Sequence, residues 1–378
     1  MNKRVLAVAL AAIGLPASAL AGGLEERLAA MEARMAQLEA RVVDQSRELE
    51  AKNARIAQLE SGAAASAAPA ADGGAWFQRV NVGGLIQIDA NHVSPASGPD
   101  TSDITAHKLE LMLDAQINDW VAAAVMLKYE EETDNDGKVE IEDVKLTLAD
   151  PAGPWFVNAG QFVLPFGVFD TFMLADPITK ELGETLDSAV EVGVHAGAFT
   201  VSAYAFQGDR ETTVSNFGLS AGVETEANGV TLAAQLGYLN DMAETNAIVD
   251  GAWVGASDPK VGAWIASAAL GFGDFHLIAE YLTATDEFAS AGNDKPSVYN
   301  LEAAYDFAAL GQPATVALGF QGSHDAQNSV WELPEKRVLG TVSTEIAEGT
   351  RVGLEVKRDT DYAGDKETTV TGRLSVEF

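Results

Sequence analysis

Three groupings of side chains have the types and spacing to do chemistry. Gly218-Leu219-Ser220-Ala221-Gly222 matches a nucleophile elbow, the strained strand-to-helix turn that exposes a serine hydroxyl. Its flanks alternate as a strand does and no helix pattern follows, so catalysis is not expected and no catalytic residue is assigned. The five histidines, His92, His107, His195, His276 and His324, lack metal-ligand spacing, and the absence of cysteine excludes disulfides and thiol chemistry. The third grouping, Glu132-Thr133-Asp134-Asn135-Asp136-Gly137 with Asp143 further on, imitates the oxygen spacing of a calcium loop. Glu at its first position, Asp at its last and flanking strands set a site of Glu132, Asp134, Asp136 and Asp143 against a solvated acidic hairpin. No cofactor is expected.

The remaining charge is arranged at a period of two. Val370, Gly372, Leu374, Val376 and Phe378 point one way and Thr369, Thr371, Arg373, Ser375 and Glu377 the other, and Leu109, Leu111 and Leu113 oppose Lys108, Glu110 and Asp114. The predicted polar faces also hold Lys128, Glu130, Lys145, Glu280, Glu302, Asp306, Arg337, Arg351, Glu355 and Lys357. Apolar on one face and charged on the other suits strands standing between lipid and a watery interior. A soluble sandwich alternates too, so connection lengths must decide. Sixteen candidate strands lie between residues 79 and 378. Tight links at Asn118, 149–154, Gly197, 226–228, Gly273, 309–313 and 347–348 alternate with longer polar ones at 92–102, 132–136, 164–188, 208–213, 241–258, 286–295, 323–334 and 360–365. Short turns at one end and long loops at the other, with an even strand number, indicate an all-β fold: a 16-stranded antiparallel transmembrane β-barrel over residues 76–378. Trp76, Phe77, Trp120, Trp155 and Phe156 suit an interfacial aromatic girdle.

Ahead of the barrel, Lys3 and Arg4, an apolar run Val5–Leu15 and Ala19-Leu20-Ala21 form a signal peptide over 1–21. Residues 22–60 carry a heptad seam through Leu28, Met35, Val42, Leu49 and Ile56, interrupted by polar Gln45 and Lys52, as a short α-helical coiled coil does. Residues 61–75 form a flexible linker of Ala, Gly and Ser. The seam implies a homo-oligomer, with a trimer expected and a dimer left open. Residues 76–378 hold 16 basic and 47 acidic residues, −31 of the total of −32. That balance disfavours nucleic acid and concentrates cations, although a solvated acidic coat has the same composition.

Segment 164–188 is the longest loop and is apolar as well as acidic: Phe166, Phe169, Phe172, Met173 and Leu174 mingle with Asp170, Asp176, Glu181, Glu184 and Asp187. Exposed outside, so many large apolar groups would be sticky. The segment is therefore expected to fold inward and narrow a pore, its five acids forming the constriction; packing on neighbouring loops is the alternative.

GQFVLPFG at 160–167 and ADPITKELGET at 175–185, behind a signal peptide and coil, resemble the LbtU-type siderophore porins. GQFVLPFG is also similar to a segment of the phosphate-selective porin O/P family, which carries a comparable coil. The first resemblance implies an outer-membrane channel for ferric siderophores, the second an anion-selective porin. A tether bridging envelope layers through the coil is a third reading. Expected partners are outer-membrane lipid, a small-molecule or ionic solute, further copies of the chain, and the barrel-assembly machinery through the terminal Phe378, with the coil in the periplasm.

Overall fold

Asn228 and Gly229 both adopt positive φ, 54° and 76°, so an Asn-Gly pair reverses the chain in two residues with the twist that a hairpin needs. Comparable tight turns recur at every second connection. The computed structural model describes residues 80–131, 138–251, 254, 258–289, 292–309, 311–327 and 333–378. The expected signal peptide, coiled coil and linker lie outside them, as do Trp76, Phe77, Glu132, Asp134 and Asp136.

Among the described residues sixteen strands follow in order: β1 (Val80–Ser94), β2 (Thr101–Asn118), β3 (Val121–Tyr129), β4 (Val139–Ala149), β5 (Trp155–Val163), β6 (Leu186–Ala196), β7 (Phe199–Phe206), β8 (Asn216–Ala227), β9 (Val230–Leu239), β10 (Ala263–Phe272), β11 (Phe275–Ala284), β12 (Ser297–Ala309), β13 (Gln312–His324), β14 (Lys336–Ala347), β15 (Thr350–Thr360) and β16 (Lys366–Glu377). Each pairs antiparallel with its sequence neighbours, and β1 closes the cylinder on β16 with Ile88 opposite Leu374. Closure leaves no unpaired edge, the condition that a lipid solvent imposes. Phe378 completes the seam: its amide donates to Gly84 O at 3.1 Å and its carbonyl accepts from Gly84 N at 2.9 Å.

The outward face is an apolar band. Val190, Val192, Leu219, Leu277, Leu301, Leu318, Val338, Leu354 and Leu374 all lie exposed on it. A continuous belt of that kind has no place in water and a natural place in hydrocarbon. Aromatic clusters sit at both rims. Phe275 lies 4.7 Å from Tyr305 and Trp120 5.9 Å from Trp155 at the turn end, while Tyr238 lies 4.7 Å from Trp264 at the loop end. Phe156 does not join the girdle: one residue along from Trp155, it points inward and stacks on His195 at 4.7 Å.

A bulge disturbs the alternation once with consequence. Between β3 and β4, Met126 pairs with Asp143 and Leu127 with Ile141, so Glu142 is an extra residue in its strand. Ile141 and Val144 remain on the outer face, and Glu142 and Asp143 therefore both turn away from it.

Candidate functional site: the barrel lumen

After Val163 the chain leaves the ladder and crosses the interior before rejoining it at Leu186. The ends of this excursion are pinned by Leu164 N donating to Thr185 O at 2.8 Å. Away from a ladder its amides need other acceptors, since a buried unpaired N–H is costly. The inner face of the opposite wall provides them. Glu280 on β11 accepts from the amides of Val168 and Phe169, both at 3.3 Å, and on the same oxygen from the Ser267 hydroxyl. Glu302 on β12 accepts from the Thr171 hydroxyl at 2.7 Å and Phe172 N at 2.6 Å. Glu355 on β15 accepts from Leu174 N at 2.6 Å, Ala175 N at 3.2 Å and the Thr341 hydroxyl at 2.7 Å. Gln321 receives Ile178 N at 3.2 Å, and Arg373 donates to Leu174 O at 2.8 Å. Bonds to carboxylates are stronger than neutral ones, so these three glutamates fasten the segment. Phe169 is held at φ 60°, a left-handed conformation that a bulky residue adopts only under constraint, and Glu280 takes its amide. The wall is hollowed to receive the segment: a Cβ on Gly237 would fall 1.9 Å from Phe166 O, and one on Gly353 2.9 Å from Leu174.

Apolar burial explains why the segment is inside. Leu164, Phe166, Ile178 and Leu182 are fully buried in a cluster with Phe206, Leu239, Met242, Ile248, Leu282 and Val298. Each such side chain contributes roughly 1.5–3 kcal/mol when removed from water. A short helix, α1 (Ile178–Gly183), presents Ile178 and Leu182 to this cluster. The β9–β10 connection, expected as a polar external loop, also packs into it: Met242 and Ala243 form a 3-10 turn capped by Asp241, followed by α2 (Asn246–Asp250). Asn246 N donates to Glu184 O at 2.9 Å and Asn246 Oδ1 accepts from Leu186 N at 2.8 Å, locking the two connections together. Its sparse apolar residues hid this role in the sequence, because they find their cover on another loop.

The charged edge of the excursion faces β2–β4. Lys180 lies 2.8 Å from Asp176 and 3.7 Å from Glu184. On the facing wall Lys108 contacts Glu110 at 3.5 Å and Glu130 at 3.4 Å, while Lys128 contacts Glu130 at 3.2 Å and Glu142 at 3.1 Å. The two sides sense each other. Burial opposes ionisation of Asp176, but Lys180, with Lys108 and His107 beyond, holds its carboxyl below the usual range. For Glu184 burial prevails over Lys180 and Lys128, and its carboxyl is pushed up. Lys180 is raised because Asp176 and Glu184 outweigh its burial. Burial also raises Asp170, which has no charged partner among the described residues. At the loop end a cavity of about 600 Å³ opens beside Glu181, Arg337, Asp359, Asp361 and Asp365. At the turn end one of about 640 Å³ lies beneath Pro165 and Asp170.

The expected constriction residues thus divide. Asp170, Asp176, Glu181 and Glu184 belong to the excursion, with Glu181 bound to Arg337 at 2.6 Å. Asp187 does not: it lies in β6 opposite Phe162, because the ladder resumes at Leu186, and it accepts from Gly208 N at 2.9 Å. Of the expected lining residues, Glu302 and Glu355 are consumed by the segment and Glu280 gives it one oxygen, Arg337 and Arg373 pair with Asp359 and Asp89, and Asp306 takes Thr315 and His276. Lys145 lies over the Phe162 ring at 5.7 Å and Lys357 3.5 Å from Asp359. Asp114 on β2 and Arg351 on β15 share the inward parity of Glu110 and Glu355. Sequence reasoning passed over Asp89, Glu142, Glu191, Gln235, Gln321 and Asp359. All but Glu142 keep the parity of their strands' polar faces, which was the available signal; Glu142 depends on the bulge. Ser220 sits within β8 and accepts from Gln235 at 3.0 Å, as a strand residue does. Asp143, the described member of the calcium-like set, belongs to no metal-binding cluster among the described residues.

Solved structures with this architecture are channels of the outer membrane. OprB of Pseudomonas putida superposes with a TM-score of 0.61 at 12% identity, covering 80% of this chain and 95% of that one. DcaP of Acinetobacter baumannii gives 0.57 at 15% over 79% and 97%, and Salmonella typhi OmpF in complex with daunomycin 0.53 at 11% over 79% and 97%. The chain has a porin fold. In sequence it is similar to a UPF0422 protein of Coxiella burnetii, 24% identical over 314 residues, 78% of this chain and 67% of that protein. A UPF0422 protein of Legionella pneumophila strain Paris is 24% identical over 317 residues, 75% of this chain; the porin-fold chain spans 59% of that relative's length. No family model matches. The siderophore class implied by the two motifs rests on those motifs alone.

Proposed function

We propose that this chain is an outer-membrane channel through which small solutes diffuse, cations in preference to anions, past a constriction formed by residues 164–185. The supporting observation is the fastening of that segment across the lumen by Glu280, Glu302 and Glu355, which leaves Asp176, Lys180 and Glu184 facing the Lys108–Lys128 wall. Lys108 and Lys128 each already have two carboxylates, so no free basic ladder remains for an anion. The tight turns, the start of β1 and the end of β16 then face the periplasm, the long loops face outward, Phe378 addresses the barrel-assembly machinery, and the coil of 22–60 joins copies, three in this reading, in the periplasm. The test is reversal potential in a planar bilayer under a salt gradient. A cation-selective current that grows when residues 168–184 are deleted supports the reading; anion selectivity or absence of current overturns it.

A ferric siderophore is a second reading, favoured by one observation. The two motifs shared with siderophore porins, 160–167 and 175–185, are the residues that enter and cross the lumen. Reversible block of the current by a ferric siderophore, and none by its iron-free form, is the expected result; equal indifference to both removes this cargo.

A further inference from the structure

We propose that the cavity at the turn end of the crossing segment is a binding site for small organic cations, amines carrying an apolar flank. The inference rests on the channel reading and names a solute class for it. The cavity measures about 640 Å³, within the range that holds a drug-sized ligand. Its charged lining is Asp170, Glu191, Glu224 and Glu280, without a lysine or arginine. Asp170 and Glu224 are exposed to it. Lys145 lines an adjoining recess that shares Glu191 and His195, so one positive charge stands at the margin of four acidic side chains. His195 is engaged with Thr200 at 2.9 Å and stacked on Phe156.

Glu280 is the second, independent observation. It is 3% exposed, and its Oε2 receives two backbone amides and the Ser267 hydroxyl. Its Oε1 has no donor among the described residues. A buried carboxylate oxygen left without a donor calls for one, and a ligand N–H supplies it. A metal ion fits less well, since no three acidic or histidine side chains converge on one point among the described residues. Val168, Val223 and Ile278 add the apolar surface that a bare ion would not use. A charge inside a low-dielectric wall acts with little screening, so an ammonium group is held here more tightly than by acids on the outer loops.

The experiment is calorimetric titration of the full chain in detergent with phenethylammonium, with phenylacetate as the anionic counterpart and calcium as the metal. The expected result is saturable binding of phenethylammonium alone, weakened about tenfold when Glu191→Gln and Glu224→Gln are combined, the loss of roughly 1.4 kcal/mol. Glu191 bonds to Asn158 and neither residue is among those that hold the crossing segment, so an unfolded variant is not expected, and its barrel is checked by heat-modified mobility. Equal binding of phenylacetate, tighter binding of calcium, or an unchanged affinity in the double variant overturns the site. Binding without current in the bilayer retains the site and removes the channel; cation-selective current without binding does the reverse.

Discussion

The two sides of the lumen use the same residue type for different ends. On β12 and β15, Glu302 and Glu355 are 2–4% exposed and spend both oxygens on donors of the crossing segment. On β2, β4 and just past the end of β3, Glu110, Glu142 and Glu130 remain partly open to the interior and are balanced by Lys108 and Lys128. One wall is a frame that holds a loop, the other a lining that a solute meets. The difference shows that a carboxylate's role in a lumen is set by what crosses in front of it.

The sharpest way to break this contrast is Glu302→Ala with Glu355→Ala. Hydrogen bonds to charged groups contribute roughly 1.5–3 kcal/mol each, so losing several should free the segment and raise single-channel conductance severalfold. Unchanged conductance would mean that the apolar cluster alone holds it. Next comes the face assignment itself. Leu374→Arg, on the lipid face, should cost about 2–4 kcal/mol near midplane, whereas Ser375→Arg should insert normally. Equal folding yields would remove the two-faced reading of β16. On the lining wall, Lys108→Met with Lys128→Met should leave conductance close to normal and raise cation over anion permeability about threefold, or roughly 0.7 kcal/mol. A rise in conductance to the level of the glutamate variants would erase the distinction between the walls.

Within the segment, Asp170→Asn should lower cation preference more than Asp176→Asn or Glu181→Gln, because the latter two are neutralised by Lys180 and Arg337. Asp361→Asn with Asp365→Asn should change least, since external charges are screened within about 8 Å at physiological salt. A pH titration of reversal potential separates the acids further. Glu184, held above the ordinary range, loses its charge before Asp176, held below it, as pH falls. The same shifts fix the sign for stability. The Asp176–Lys180 pair contributes above the unfolded carboxylate pKa and is lost as pH falls through the lowered Asp176 value. At the other limit it is present below the unfolded lysine pKa and lost as pH rises through the raised Lys180 value. A single-step selectivity profile would show that the two acids titrate as equals.

Much of the barrel is legible in the sequence. Sixteen strands, their alternating short and long connections and the facing of Arg373 against Leu374 follow from a period of two and from turn residues such as Asn228-Gly229. These are local properties: side-chain alternation and turn geometry depend on neighbours in the chain. The inward course of segment 164–185 was also half visible, as a surplus of Phe, Met and Leu in a loop too apolar for water.

The rest required the closed cylinder. Glu280, Glu302 and Glu355 lie more than 100 residues from the amides they hold, and no spacing within β11, β12 or β15 marks them apart from Glu110 or Glu130. The bulge that turns both Glu142 and Asp143 inward breaks the alternation from which facing was read. The packing of Met242 and Ile248 against α1 joins two connections that are far apart in sequence. Apart from that bulge and Phe156, sequence alone determined which side chains face lipid and which face the interior, because that is decided one residue at a time. Which interior charges are spent on structure and which remain for a solute was decided by the tertiary fold, because it depends on the segment that the closed barrel brings against each wall.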